Sequence, residues 1–246
     1  MSLCTVNFFG PSIGKENGMH VILPDGKGPF PVMYLLHGLS DDYTIWQRRT
    51  SIERYVAGLG LIVVIPDGAR SFYVNDPRPG GLAYDDYITK DVVGFVDHTF
   101  RTIASARGRA IAGLSMGGYG ATVLAMRHPD VFSTAVSHSG ALGFCERQTY
   151  QPPFGPLKRA LEGKGYNVFE LARKLKRAGK RIAYRLDCGT EDHLIEDNRR
   201  FHAHLTKIGF AHEYAEHPGE HNWAYWDLHI QETIRFVMAN VKRDRR

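Results

Sequence analysis

Residues 109–120 restrict the fold of this chain more than any other stretch. They read Arg-Ala-Ile-Ala-Gly-Leu-Ser-Met-Gly-Gly-Tyr-Gly. Ala110, Ile111 and Ala112 are apolar, like the end of a buried strand, and residues 119–126 carry a helical pattern. Between them, Gly113-Leu114-Ser115-Met116-Gly117 fits Gly-x-Ser-x-Gly, a sharp strand-to-helix turn that lifts a serine hydroxyl out of the sheet edge. The two glycines have a steric task, because a Cβ at 113 or 117 would meet a neighbouring strand or helix. The N-terminus of the following helix favours negative charge developing beside Ser115. A close-packed glycine turn without chemistry uses the same residues, so the rest of the chain must decide between the two.

The remaining elements alternate. Residues 5–9 and 19–23 are short, partly alternating runs separated by Gly10, Pro11 and Gly14, and they predict paired opening strands. Residues 31–36 and 61–65 are nearly continuous apolar runs, as expected of strands buried on both faces. Further strands are predicted at 134–137, 181–186 and 212–216, and helices at 46–58, 87–100, 168–178, 198–208 and 226–241. Residues 71–82 read as a loop, and the glycine- and proline-rich stretch 140–166 reads as an irregular, cap-like insertion. With no repeat and no linker, the 246 residues predict a single domain, 1–246. The expected class is α/β, with a mostly parallel central sheet and helices on both faces. In such sheets, sites form at the C-terminal strand ends. His37, Ser115, Asp192 and His221 each follow a predicted strand.

Composition excludes several other classes. The formal charge of +5 is spread along the chain, with local density only at residues 173–181 and in the tail 242–246. In the first segment the basic residues surround Leu171 and Leu175, like the wet face of an amphipathic helix, and no nucleic-acid module accompanies them. The tail reads as a solvated end. Cys4, Cys145 and Cys188 have neither a disulfide framework nor the paired spacing of a zinc site. Reduced thiols, no apolar run long enough for a membrane span and no signal-peptide pattern together point to a cytoplasmic protein. His202 and His204 lie two apart on a helix, hence on different faces, so no metal site is expected, and no cofactor.

A serine hydroxyl needs a base to take its proton during attack, and the base needs an orienting partner. In α/β hydrolases the chain order is serine, acid, histidine. Ser115, Asp192 and His221 supply it, with Asp192 accepting from one ring nitrogen of His221 and the other facing Ser115. His221 is favoured over His217 by Pro218-Gly219 before it and Trp223 after it. Asp192 is favoured over Asp187, which falls within the strand or at its end, and over Glu191. Ser139 lacks flanking elbow glycines, and a structural or pocket-lining role suits it better. The oxyanion of an acyl transfer needs donors. The N–H of Met116, next after the nucleophile, is one, and the loop His37-Gly38-Leu39 offers the N–H of Leu39 as the second. His37 reads as the group that holds this loop. Ser71, Tyr73 and Trp46 could line a pocket or serve loop and core.

Taken together, Tyr34-Leu35-Leu36-His37-Gly38-Leu39 with Trp46, the Gly-Leu-Ser-Met-Gly-Gly-Tyr-Gly-Ala elbow at 113–121, Gly189-Thr190-Glu191-Asp192, and His221-Asn222-Trp223 with Trp226 resemble the esterase D–type α/β hydrolases. That group includes tributyrin, feruloyl and acetyl-xylan esterases, S-formylglutathione hydrolases and mycolyltransferases. The resemblance runs from about residue 19 to 226 and is nearest the tributyrin-esterase branch, in the stretch 46–54. It implies the α/β-hydrolase fold, a nucleophile on Ser115, an acid on Asp192, a base on His221 and oxyanion donors on Leu39 and Met116. It implies a serine carboxylesterase acting on short-chain acyl esters, whose partner is a small-molecule ester rather than nucleic acid or membrane, and with which a homo-oligomer is compatible. The alternatives are an S-formylglutathione thioesterase, an acetyl-xylan or feruloyl esterase, an acyltransferase, and, from a different class, a catalytically inactive binding module of the same fold.

Overall fold

A computed structural model describes residues 1–146 and 153–241. The tail 242–246 and the middle of the insertion, 147–152, lie outside the described residues. The strands are β1 (Ser2–Gly10), β2 (Lys15–Leu23), β3 (Val32–Leu36), β4 (Ile62–Pro66), β5 (Arg109–Leu114), β6 (Thr134–His138), β7 (Ala183–Gly189) and β8 (Glu213–His217). They form one eight-stranded sheet in the order β1-β2-β4-β3-β5-β6-β7-β8. β1 and β2 form an antiparallel hairpin running from Ser2↔Leu23 to Gly10↔Lys15, and β2 pairs antiparallel with β4. All the later pairings are parallel.

The helices are α1 (Ile45–Arg49), α2 (Ile52–Val56), α3 (Tyr84–Asp86), α4 (Val93–Thr99), α5 (Met116–Arg127), α6 (Gly155–Ala160), α7 (Val168–Arg177), α8 (Ile195–Lys207) and α9 (Trp223–Asn240). A wide π-helical turn, Tyr87–Val92, joins α3 to α4. Strand periodicity sorts the core into two layers. Val32, Tyr34 and Leu36 of β3 join the cluster that includes Tyr119, Leu171 and Phe201, from α5, α7 and α8. Met33 and Leu35 point the other way, into the cluster with Trp46, Ile52, Trp226 and Ile230, from α1, α2 and α9. On β5 the second layer receives Ala110, Ala112 and, at the strand end, Leu114; the two alanines are small enough for α9 to approach the sheet. The central parallel strands β3, β4 and β5 are therefore buried on both faces, which explains their unbroken apolar runs.

The helix expected over 46–58 is two short helices, a correction with a local cause. Thr50 is extended at φ −134° and ψ 168°. Its hydroxyl donates to the Trp46 carbonyl and accepts from the Ile52 N–H at 3.2 Å, so it ends one helix and opens the next. The Ser51 N–H then donates to Asp227 of α9 at 2.9 Å, tying the break to the opposite wall of the layer. The basic helix α7 is amphipathic as expected: Val168, Phe169, Leu171, Ala172 and Leu175 are buried, and Arg173, Lys174, Lys176 and Arg177 are exposed. Burying each large apolar side chain contributes about 1.5–3 kcal/mol. The stretch 140–166 is not wholly irregular, since α6 lies within it and buries Leu157.

Candidate active site

Ser115 stands between β5 and α5 at φ 53° and ψ −115°, a conformation a non-glycine residue adopts only when its surroundings impose it. Those surroundings are visible. The Ser115 N–H donates to the His138 carbonyl at 2.9 Å, and the Ser115 carbonyl accepts from Ala141 at 3.0 Å. A Cβ on Gly113 would sit 2.5 Å from the Gly117 carbonyl oxygen, and one on Gly117 would sit 2.7 Å from the carbonyl oxygens of Leu36 and His37. The Gly-x-Ser-x-Gly pattern is the sequence trace of these close approaches.

The Ser115 hydroxyl lies 3.0 Å from His221 Nε2, and His221 Nδ1 donates to Asp192 Oδ2 at 2.7 Å. Three separate strand ends, of β5, β7 and β8, bring these residues together. Asn222 fixes where His221 sits: its side chain accepts from the Tyr225 N–H at 3.1 Å and caps α9 one residue beyond the histidine. Trp226 then meets the His221 ring edge to face at 4.9 Å, while Trp223 packs against both Trp226 and Trp46 at 5.2 Å. Burial alone would raise the Asp192 carboxyl. The hydrogen bond from His221, the Leu194 N–H and the Ser139 hydroxyl outweigh it and hold the carboxyl below the ordinary aspartate value. Asp192 therefore stays ionised at neutral pH.

The rivals for these positions have other partners. Asp187 is fully buried against His138 and accepts from the Tyr225 hydroxyl at 2.9 Å. Glu191 accepts from the Gly219 N–H at 2.6 Å and from Thr190 at 2.8 Å. His217 stacks on His229 at 4.1 Å. Ser139 touches Asp192 and accepts from Trp226 Nε1 at 3.3 Å, so it supports the Asp192 carboxylate. That contact fits the structural role expected of Ser139, whereas the strap from Glu191 to Gly219 was missed in the sequence, where only the adjacency of Glu191 to Asp192 hinted at it.

The loop after β3 is held by His37. Its Nδ1 donates to the Gly38 carbonyl at 2.7 Å, and its Nε2 accepts from the Gly68 N–H at 2.8 Å. Two opposite demands on one ring fix its tautomer. The Tyr73 hydroxyl donates to the His37 carbonyl at 3.0 Å, and Trp46 Nε1 to the Leu36 carbonyl at 3.1 Å. Both side chains are fully buried, so Tyr73 and Trp46 brace the loop from the core rather than line a pocket. Leu39 lies in this braced loop. Met116 opens α5, so its N–H is among those a helix leaves without an internal acceptor. Phe72, at φ 52°, stacks on Phe144 of the insertion at 3.7 Å and joins residues 71–82 to it. Among the described residues no helix is long and apolar enough to cross a membrane.

A mostly parallel eight-stranded sheet with a serine at the strand-to-helix turn of a central strand defines an α/β hydrolase. The family model described as "Putative esterase" matches residues 10–237. The chain belongs to this esterase family and is a hydrolase with esterase activity. It is similar to the acetyl esterase of Caldicellulosiruptor saccharolyticus, at 25% identity over 96% of this chain and 98% of that one. Among solved structures it is similar to FphF, a fluorophosphonate-binding serine hydrolase of Staphylococcus aureus. There the TM-score is 0.87 and the identity 30%, over 96% of this chain and 98% of that one. It is also similar to the S-formylglutathione hydrolase FrmB of Staphylococcus aureus. That match has a TM-score of 0.85 and 30% identity, over 97% of this chain and all of the other.

Proposed function

We propose that the protein is a serine carboxylesterase that hydrolyses short-chain acyl esters through an acyl-enzyme on Ser115. The observation that carries this reading is the continuous contact from Ser115 Oγ to His221 Nε2 at 3.0 Å and from His221 Nδ1 to Asp192 Oδ2 at 2.7 Å. His221 Nε2 takes the Ser115 proton as the oxygen attacks the ester carbonyl. The oxyanion that forms is met by the N–H groups of Met116 and Leu39, each of the kind whose removal costs about 10²–10³ in rate. As the tetrahedral species collapses, His221 gives the proton to the leaving alcohol. Water then attacks the acyl-enzyme with His221 again as base, and the carboxylic acid leaves. Asp192, ionised throughout, keeps the Nδ1–H tautomer and stabilises the imidazolium.

The decisive comparison is hydrolysis of p-nitrophenyl acetate by the wild type and by Ser115→Ala. Turnover by the wild type alone is expected; equal inactivity of the two would favour the binding-module reading. A thioesterase acting on S-formylglutathione is the second reading, favoured by the full-length likeness to FrmB. A panel of p-nitrophenyl acyl chains beside S-formylglutathione and a feruloyl ester separates these, and the short-chain oxygen esters are expected to give the highest kcat/KM. A cytoplasmic location belongs to the same reading, supported by Cys4, Cys145 and Cys188, which all stand as free thiols.

A further inference from the structure

His193 has no part in the chemistry above, yet it borders the base. It follows Asp192 directly and its side chain is 69% exposed, while that of Asp192 is fully buried. Its ring meets the His221 ring at 4.5 Å and 65°. Its Nδ1 lies 3.6 Å from Asp192 Oδ1. Asp192, His193 and His221 can each offer one ligand atom to a group in which all lie within 4.8 Å of one another. Tetrahedral zinc holds nitrogen and oxygen donors at about 2.0–2.2 Å, which sets its ligands roughly 3.3 Å apart. The 3.6 Å His193 distance runs to Asp192 Oδ1 and the 2.7 Å His221 contact to Oδ2, so the two rings approach the carboxylate from its two oxygens, and an ion between them has to open the His221 contact by about half an ångström. Two imidazoles and a carboxylate suit zinc better than magnesium or calcium. His217, His229 and Glu232 make a poorer cluster. Their imidazoles stack at 4.1 Å and 16°, so their in-plane lone pairs do not converge close to the rings, and Arg185 already pairs with Glu232.

We propose that Asp192, His193 and His221 form an inhibitory site for a divalent ion of the zinc class. Zinc bonds the Nδ1 lone pair of His221. The Nδ1 proton leaves to solvent and Nε2 takes one up, so the ring stays neutral and nothing is oxidised or reduced. The resulting Nε2–H faces Ser115 Oγ and can no longer accept its proton. Acylation and deacylation both stop. Exposed His193 is the entry point to a carboxylate that solvent does not otherwise reach. The inference rests on the reading of His221 as base.

The test follows p-nitrophenyl acetate hydrolysis by chelator-treated protein as zinc chloride is added, for the wild type and for His193→Ala and His193→Gln, beside calorimetric titration of the same proteins with zinc. In the wild type, zinc is expected to lower kcat at near-constant KM, and a chelator to restore it. His193→Ala and His193→Gln are expected to keep the metal-free rate. Their inhibition constant and calorimetric Kd should both rise tenfold or more, since even outer-shell partners of a metal are worth about 10–100-fold. Equal zinc sensitivity in wild type and His193→Ala overturns the proposal. So does zinc binding without inhibition, or an unchanged wild-type rate at millimolar zinc. Failure of the underlying reading looks different: metal-free His221→Ala would then retain its activity, whatever the calorimetry shows.

Discussion

Gly189, the last residue of β7, pairs with His217 of β8 and stands between the loop that carries Asp192 and the one that carries His221. A Cβ there would sit 2.1 Å from the Gly219 carbonyl oxygen and 2.7 Å from its carbon. Neither atom is the end of a flexible side chain. Relieving the clash to even 3.0 Å moves the Gly219 backbone by about 0.9 Å. Gly219 lies two residues before His221. Its carbonyl accepts from the Glu191 N–H at 3.0 Å and its N–H donates to the Glu191 carboxylate at 2.6 Å, so the displacement reaches both loops. A misplacement near 1 Å in a catalytic group costs about 10²-fold in rate. Backbone overpacking of this kind costs about 1–3 kcal/mol. In a domain of this size that is a Tm fall of roughly 2–12 °C. Gly189→Ala is therefore expected to lower kcat/KM on p-nitrophenyl acetate by about 10²-fold with a measurable loss of Tm. Gly94→Ala in α4 is the matched control: a Cβ there meets nothing within 4 Å. That substitution should leave activity unchanged and stabilise the protein by about 0.5–1 kcal/mol. A Gly189→Ala protein with wild-type kcat/KM and Tm would refute the idea that this contact locates His221 against Asp192.

Asp192→Asn and His221→Ala are each expected to reduce kcat by roughly 10³–10⁴ with smaller effects on KM; an Asp192→Asn enzyme of normal turnover would return the role to Asp187 or Glu191. The pH dependence of stability has a separate expected source in Asp187. Burial would raise its carboxyl, but the facing His138 ring, Arg185 and the Tyr225 hydroxyl outweigh burial and hold it low. A depressed folded value stabilises the protein above the unfolded aspartate pKa of about 4, and the contribution is lost as pH falls through the folded value. Urea unfolding of wild type and Asp187→Asn should show a full stability gap above that range that closes towards lower pH, and a gap independent of pH would count against the assignment.

Much of the fold was legible because parallel strands buried on both faces leave continuous apolar runs, such as Val32–Leu36 and Ile62–Pro66, that amphipathic helices separate. The elbow was legible because two backbone approaches leave no room for a Cβ at 113 or 117. The break at Thr50 was not, since it depends on a hydroxyl choosing the backbone over solvent and on Asp227, 176 residues from Ser51. The choice between pocket and core roles for Tyr73 and Trp46 stayed open for a related reason: an aromatic residue near a functional loop can brace it from beneath, and only the fully buried hydrogen bonds to the carbonyls of His37 and Leu36 tell the two apart. Ser139 and Glu191 act through contacts between strand ends distant in sequence, and no local pattern records such contacts.

The strap between Glu191 and Gly219 divides the site into two bodies of unequal security. Ser115 extends from β5, held on both sides by β3 and β6 near the middle of the sheet. His221 follows β8, an edge strand that is only half-buried and whose Glu216 pairs with Arg199 of α8. Sheet margins open with far less free energy than sheet centres. Because the strap joins them, the loops of Asp192 and His221 leave together when that margin frays. Ser115 stays seated in an intact core. On the proposed roles, an acyl group caught on Ser115 during such an opening has no base to activate the water that would release it. Protein failing in this way would accumulate as a stable adduct of its own intermediate, still folded and still carrying its last substrate.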